Sequence, residues 1–216
     1  MNLDRILKVA VRGGASDVIL KTSAFPRFRY RGDLVTLSDG EAVTPEIMHQ
    51  WLQEIVPPRL REELEATGDA DFAYESRHGY RFRINAFRQR ATYGLVARVV
   101  KSHIQTIEEL QLPKVMTYLA AEKRGLILVT GATGSGKSTS LAAMIQEINV
   151  KRAAHIITIE DPIEFSFQDE SSTINQREVG TDTESFPAAL RAALRQNPDV
   201  ILVGELRDAQ TTNTAL

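Results

Sequence analysis

Residues 131–138 read GATGSGKS, a Gly-x-x-x-x-Gly-Lys-Ser spacing in which glycines precede a lysine and a hydroxyl. Such a set suits the grasp of an oxygen-rich polyanion. Gly131, Gly134 and Gly136 let the backbone turn successive N–H groups inward on phosphate oxygens, and a helix starting near Lys137 adds the positive end of its dipole. Lys137 is then placed for the β- and γ-phosphates of ATP, Ser138 for Mg²⁺, and Thr139 for the α-phosphate from the first helical turn. With Thr133 and Ser135 these residues make up the candidate nucleotide-binding set. The setting supports it: the apolar run GLILVT, 125–130, reads as a strand buried on both faces, and a helical pattern runs from 137 to about 149.

Two acidic groups accompany the loop. In DVILVGELRD, 199–208, an apolar run leads into Gly204 and Glu205 and delivers a carboxylate from a strand tip. A hard cation on Ser138 and phosphates needs an acidic partner there, which makes Glu205 both a catalytic and a metal candidate. Asp199, ahead of the run, reads as a cap or turn residue. In ITIEDPIEF, 157–165, Glu160, Asp161 and Glu164 fall at the end of another strand. Carboxylates so crowded repel one another, which raises at least one pKa and suits activation of water; a solvated acidic turn is the plain alternative.

Between Ser76 and Glu108 there is no acidic residue, yet Arg77, Arg81, Arg83, Arg88, Arg90, Arg98 and Lys101 all fall there. A one-sign stretch wants an anion, and beside a phosphate-binding loop that anion is the γ-phosphate, reached by an arginine supplied in trans. In RFRIN the alternation puts Arg81 and Arg83 on one strand face and Phe82 and Ile84 in the core. A nucleic-acid groove with Phe87 and Tyr93 stacking is the competing function, and an ordinary basic sheet face the bland one. His49, His78, His103 and His155 have no metal-ligand spacing, and Trp51 reads as core or interface.

The elements that must position these residues change character along the chain. Residues 2–12 carry a helical stripe ending at Gly13-Gly14; 16–22 and 25–37 read as three short strands with a turn at Gly32-Asp33. Thr44 caps a helix with Pro45 at its first position, a second helix runs from Pro57-Pro58 to Gly68, and three strands follow, the last two a hairpin. This is an α+β domain over 1–100. Residues 101–113, ending in proline, read as a linker. From 114 to 216 strand and helix signals alternate: strands at 125–130, 155–160, 173–176 and 199–205, helices from Lys137 and from Ser185 to Arg195. That is an α/β layout, and it stops about one helical turn past its last strand, where an open sheet would need more strands and covering helices, so the sequence reads as a fragment.

Composition bounds the classes. At 216 residues, 43% hydrophobic and 25% charged, the chain is globular in type, with room for one large or two small domains. It has no cysteine, which excludes disulfides, thiolate zinc and cysteine nucleophiles, and fits a reducing compartment. No apolar run reaches bilayer-spanning length and no secretory leader is evident, so the expectation is a cytoplasmic protein. A net charge of −2 gives no bulk attraction to polyanions.

With these residues in view the sequence resembles the bacterial secretion-superfamily ATPases, most closely the PilT-like type IV pilus retraction ATPases. The marks are GATGSGKSTSLAAMI at 131–145, ITIEDPIEF, QREVG at 176–180 and LRQNPDVILVGELRD at 194–208, and the likeness spans essentially the whole chain. It implies an α+β PAS-like N-terminal domain joined by a short linker to an α/β RecA-like P-loop ATPase domain, here truncated on its C-terminal side. It implies six subunits in a ring, Glu205 as the Walker B acid, and Glu164 or Glu160, with Glu164 slightly favoured, orienting or activating water. Arg83 and Arg98 stand where the family carries arginines that reach ATP, making composite sites whose closure couples hydrolysis to movement. The ring would turn an inner-membrane platform protein and draw pilins from the fibre, so the subunit would sit at the cytoplasmic side of the inner membrane. An accessory retraction ATPase and an extension or type II secretion ATPase are the alternatives within the class; the absence of cysteine counts against the last two, which commonly carry a four-cysteine zinc element. A nucleic-acid translocase and a nucleotide-binding regulator that does not hydrolyse are the alternatives outside it.

Overall fold

The structure is a computed structural model that describes residues 2–37, 41–206 and 209–215. The chain forms two compact units, residues 1–100 and 101–216.

In the first unit α1 (Leu3–Arg12) precedes β1 (Asp17–Lys21), β2 (Arg27–Tyr30) and β3 (Asp33–Thr36). The helices α2 (Pro45–Ile55) and α3 (Pro58–Thr67) follow, then β4 (Asp69–Glu75), β5 (Arg81–Gln89) and β6 (Thr92–Val99). Asn2 caps α1 by accepting from the Arg5 N–H, and Thr44 caps α2 by accepting from the Ile47 N–H, with Pro45 inside the first turn. The six strands pair antiparallel in the order β3-β2-β1-β6-β5-β4. Alternation decides the faces: Val18, Leu20, Phe82, Ile84, Ala86, Leu95 and Ala97 meet Leu7, Met48, Trp51 and Leu52 from the helices in one core. The opposite parity, with Arg83 and Arg98, lies on the other face.

The second unit runs α4 (Val115–Ala121), α5 (Lys137–Lys151), β7 (His155–Glu160), β8 (Thr173–Glu178), α6 (Phe186–Ala193), β9 (Val200–Val203) and α7 (Ala209–Ala215). Its sheet is parallel, in the order β8-β7-β9. The central strand β7 is covered on both faces. Ile156 packs with Ala143, Met144, Ile145 and Ile148 of α5, while Ile157 and Ile159 pack with Ala189, Leu190 and Ala193 of α6. Residues 101–113 are part of this unit, and Ile107 is buried in the α5-side core beside Leu110 and Leu112.

One expected element is not formed. Residues 125–130 are not a strand, and Leu126, Ile127 and Leu128 are 48%, 41% and 63% exposed. A strand buried on both faces needs a neighbour for its ladder and helices over its faces. Among the described residues no strand pairs with this segment, so its apolar character finds no core. The short helix α4 carries no cap signal and was not expected from the sequence.

Candidate nucleotide-binding and hydrolysis site

The loop before α5 has the backbone that its glycines allow. Gly131, Gly134 and Gly136 all have positive φ, 155°, 79° and 91°, and a Cβ on Gly131 would meet the Ser135 Oγ at 2.8 Å. Gly136 is the N-cap of α5, and no side chain caps that helix. Its first N–H groups, with the dipole behind them, are therefore left for an acceptor from outside the helix. The Lys137 Nζ donates to the carbonyls of Gly131 at 2.9 Å and Ala132 at 2.8 Å, which folds its stem under the loop. Thr133, Ser135 and Ser138 are exposed, Thr139 is half-buried, and the Ser138 hydroxyl has no partner among the described residues. An exposed hydroxyl one residue past the lysine, at a dipole-positive helix start, fits a hard cation shared with phosphates.

The acidic candidates separate into different environments. Glu160, the last residue of β7, is 9% exposed. Its Oε1 accepts from the Thr158 hydroxyl at 2.7 Å and the Gln176 amide at 3.1 Å, and its Oε2 faces the Glu164 N–H at 3.5 Å. Burial pushes this carboxyl up, the hydrogen bonds from Thr158, Gln176 and Glu164 oppose that, and the Glu164 charge adds to the rise. Glu164 itself is exposed, and its carboxylate has no partner among the described residues. Glu205 is half-buried, two residues past β9, where Gly204 donates its N–H to the Ile159 carbonyl and lies against Glu160. Asp199 turns its carboxylate onto the His155 N–H at 2.8 Å, so it secures the start of β7.

In the first unit, Arg83 of β5 and Arg98 of β6 are register partners, both exposed. With Asp71, Asn85 and Val96 they line a shallow depression of about 180 Å³ on the helix-free face. The other members of the basic stretch scatter. Arg77 pairs with Asp4 and Glu54, Arg90 sits in the hairpin turn, and Arg88 lies on the opposite face of β5 from Arg83. Phe87 covers Gly94 on the Arg83 face, whereas Tyr93 packs against the helix-side core. The two rings named as a stacking platform thus lie on opposite faces, because residues of opposite parity along paired strands cannot share one.

Sequence reasoning missed two residues that build the site. Gln176 and Glu178 of β8 stand beside Thr158 and Glu160 of β7 in parallel register, and Glu178 is 6% exposed. Glu178 Oε2 accepts from the Ile163 N–H at 3.2 Å. The available signal was the alternation in TINQRE, which puts Ile174, Gln176 and Glu178 on one face; polar residues following an inward-facing Ile mark a polar interior.

The family model described as "Type II/IV secretion system protein" matches residues 2–216. The chain belongs to the type II/IV secretion system protein family. Within it, the type IV pilus ATPase PilU of Pseudomonas aeruginosa is 39% identical over 216 residues, all of this chain and 56% of PilU. The type IV pilus retraction ATPase PilT of the same organism is 41% identical over the whole chain and 62% of PilT. Among solved structures, that of the pilus retraction motor PilT with bound ADP superposes with a TM-score of 0.89 at 45% identity, over 99% of this chain and 62% of that one. The ATPase DotB of Legionella pneumophila follows at TM-score 0.80 and 30% identity, over 99% of this chain and 61% of that one. The mixed α/β fold is thus that of the PilT and DotB structures. The chain spans about three fifths of the length of the curated family members it matches.

Proposed function

We propose that the chain is part of a Mg²⁺-dependent, ring-forming ATPase subunit that powers type IV pilus retraction and twitching motility. The observation that carries the reading is the 131–136 loop, with its three positive-φ glycines feeding an uncapped helix N-terminus that starts with Lys137. Likeness over the whole chain to a PilT structure holding ADP supports it. In this reading the first unit is PAS-like and the second is the leading part of a RecA-like domain, as a member of this family would arrange them. Among the described residues no helix is long and apolar enough to cross a membrane. The subunit then works at the cytoplasmic side of the inner membrane, docked on the pilus platform protein.

The residues divide the work by environment. The loop amides and Lys137 hold the triphosphate of ATP, with Thr139 at the α-phosphate. Ser138 and Glu205 are the residues that would hold Mg²⁺, which would offset charge on the phosphates. Glu164, exposed and unengaged, polarises the attacking water, while buried Glu160 spends its oxygens on Thr158, Gln176 and the loop that carries Glu164. Arg83 and Arg98 reach the γ-phosphate of a neighbouring subunit. The test is ATP hydrolysis with Mg²⁺ by the wild type and by Lys137→Ala. Turnover lost in the variant supports the reading, and turnover unaffected by it rejects the site. Turnover stimulated by DNA, with a steep salt dependence, would favour a translocase instead.

The similar identities to PilU and PilT support a second reading, an accessory retraction ATPase that depends on a partner motor. Retraction in a strain lacking the main motor separates the two.

A further inference from the structure

The segment 161–167, which carries Glu164, has no regular secondary structure apart from one bridge, yet its backbone is gripped at successive points by side chains of β7 and β8. Gln176 makes the most of these contacts. Its Nε2 donates to the Phe165 carbonyl at 2.9 Å and to Glu160 Oε1 at 3.1 Å, and its Oε1 accepts from the Phe167 N–H at 2.9 Å. A carbonyl can only accept and an N–H can only donate, so the amide has one orientation that satisfies both. Glu178 takes the Ile163 N–H at 3.2 Å, and Glu160 Oε2 faces the Glu164 N–H. The carboxylate of Glu164, without a partner among the described residues, stands on a backbone that is held on both sides of it.

The same segment is fastened elsewhere to the chain's own main line. Lys101 bridges Phe165 in parallel, and its carbonyl accepts from the Ser166 N–H at 2.9 Å. Lys101 is the first residue of the second unit and comes two residues after the end of β6, the strand that carries Arg98.

We propose that Gln176 is a positioning residue for hydrolysis, setting the place of the Glu164 carboxylate through the backbone of residues 163–167. This rests on the reading of Glu164 as the group that polarises water. The Gln176 amide joins the loop to the buried Glu160, and the Lys101 bridge joins it to the start of the unit. A misplaced water-polarising group lowers the rate of the chemical step and leaves nucleotide affinity intact, because the phosphate loop lies on a different segment.

The experiment compares Gln176→Met, which keeps the bulk and removes all three hydrogen bonds, with Gln176→Glu, which keeps an acceptor for the Phe167 N–H. Both are measured in the full-length protein for kcat, KM and ADP affinity, together with amide hydrogen exchange over 161–167. The expected result is a kcat lower by about ten- to a hundredfold, an unchanged ADP affinity and KM, and faster exchange confined to the loop. A kcat close to wild type in both variants overturns the proposal. So does a loss of ADP affinity in step with kcat, which marks general damage; should Gln176→Met fail to fold, Gln176→Glu decides on the same criteria. Glu164→Gln, measured alongside, separates the two readings. If it leaves kcat unchanged, the assignment of Glu164 fails and the proposal with it; if it abolishes turnover while the Gln176 variants do not alter kcat, the proposal alone fails.

Discussion

Arg83 and Arg98 lie directly opposite each other on β5 and β6, two like charges at one rung of the ladder, and among the described residues only Arg98 has a counter-ion. Arg98 donates from Nε to Asp17 at 3.0 Å, across the next strand of the same rung, and Asp17 in turn has Arg29 at 3.8 Å and the Ser16 hydroxyl at 2.8 Å. Arg83 has no ion-pair or hydrogen-bond partner among the described residues. In the proposed function the γ-phosphate of a neighbouring subunit is the anion for this pair, and Arg83 is the arginine open to it.

Replacing Arg83 by Ala is expected to lower kcat by about a thousandfold, the low end for an arginine that stabilises a transferring phosphoryl group. The unfolding midpoint should hardly move, because an exposed, unpaired side chain contributes little to stability. Mixing tests whether the arginine acts across subunits. Lys137→Ala subunits and Arg83→Ala subunits, each inactive alone, should recover turnover in mixed rings; mixed rings without recovery refute action in trans.

Asp17→Asn should behave in the opposite sense. It removes the charge that tethers Arg98 and is expected to lower stability by about 1 kcal/mol, limited by the exposure of Arg98. Urea denaturation of the wild type and the variant reads this directly, and a change only in turnover would show that Asp17 has no part in holding the sheet.

Glu160 makes stability depend on pH. Burial raises its carboxyl above the ordinary carboxylate value, so the folded state holds that proton more tightly than the unfolded chain does. Its contribution to stability is full below the ordinary range, near about 4.3, and is lost as pH rises through its raised pKa. Glu160→Gln removes this loss. Its melting temperature, close to wild type in acid, should gain on wild type as pH increases towards neutrality; a constant difference across that range would contradict the assignment.

Much of this arrangement was legible in the residues. The cap at Thr44, the glycine stop at Gly68 and the alternation of RFRIN all settle local structure, because each acts within a few residues of itself. The β5–β6 hairpin could be read from its flanking strands, although its turn uses Arg90 and Ala91 at positive φ, where the usual Asn-Gly signal is absent and strand pairing imposes the conformation. The candidate loop declared itself through Gly and Lys spacing. What stayed hidden depends on partners distant in sequence. The strand character of 125–130 needs a neighbour that residues near it cannot supply, and the Gln176 and Glu178 contacts exist only because β8 lies beside β7 in one register. The different surroundings of Glu160 and Glu164, four residues apart, one buried and one exposed, likewise could not be read from spacing.

Separate substitutions should split the acidic residues by function. Glu164→Gln and Glu205→Gln are each expected to lower kcat by about a hundredfold or more, while only Glu205→Gln, through the cation, also raises the Mg²⁺ concentration needed for half-maximal turnover. Titrating Mg²⁺ against rate for both variants checks this, and equal Mg²⁺ requirements would remove Glu205 from the cation's surroundings.

The most direct measurement is ATP turnover per subunit in Mg²⁺ as protein concentration is raised. A hydrolytic site completed by a neighbour's Arg83 requires the per-subunit rate to climb steeply with concentration and to vanish in Lys137→Ala. Tight nucleotide binding with no turnover at any concentration would contradict the motor reading and leave a nucleotide-binding regulator in its place.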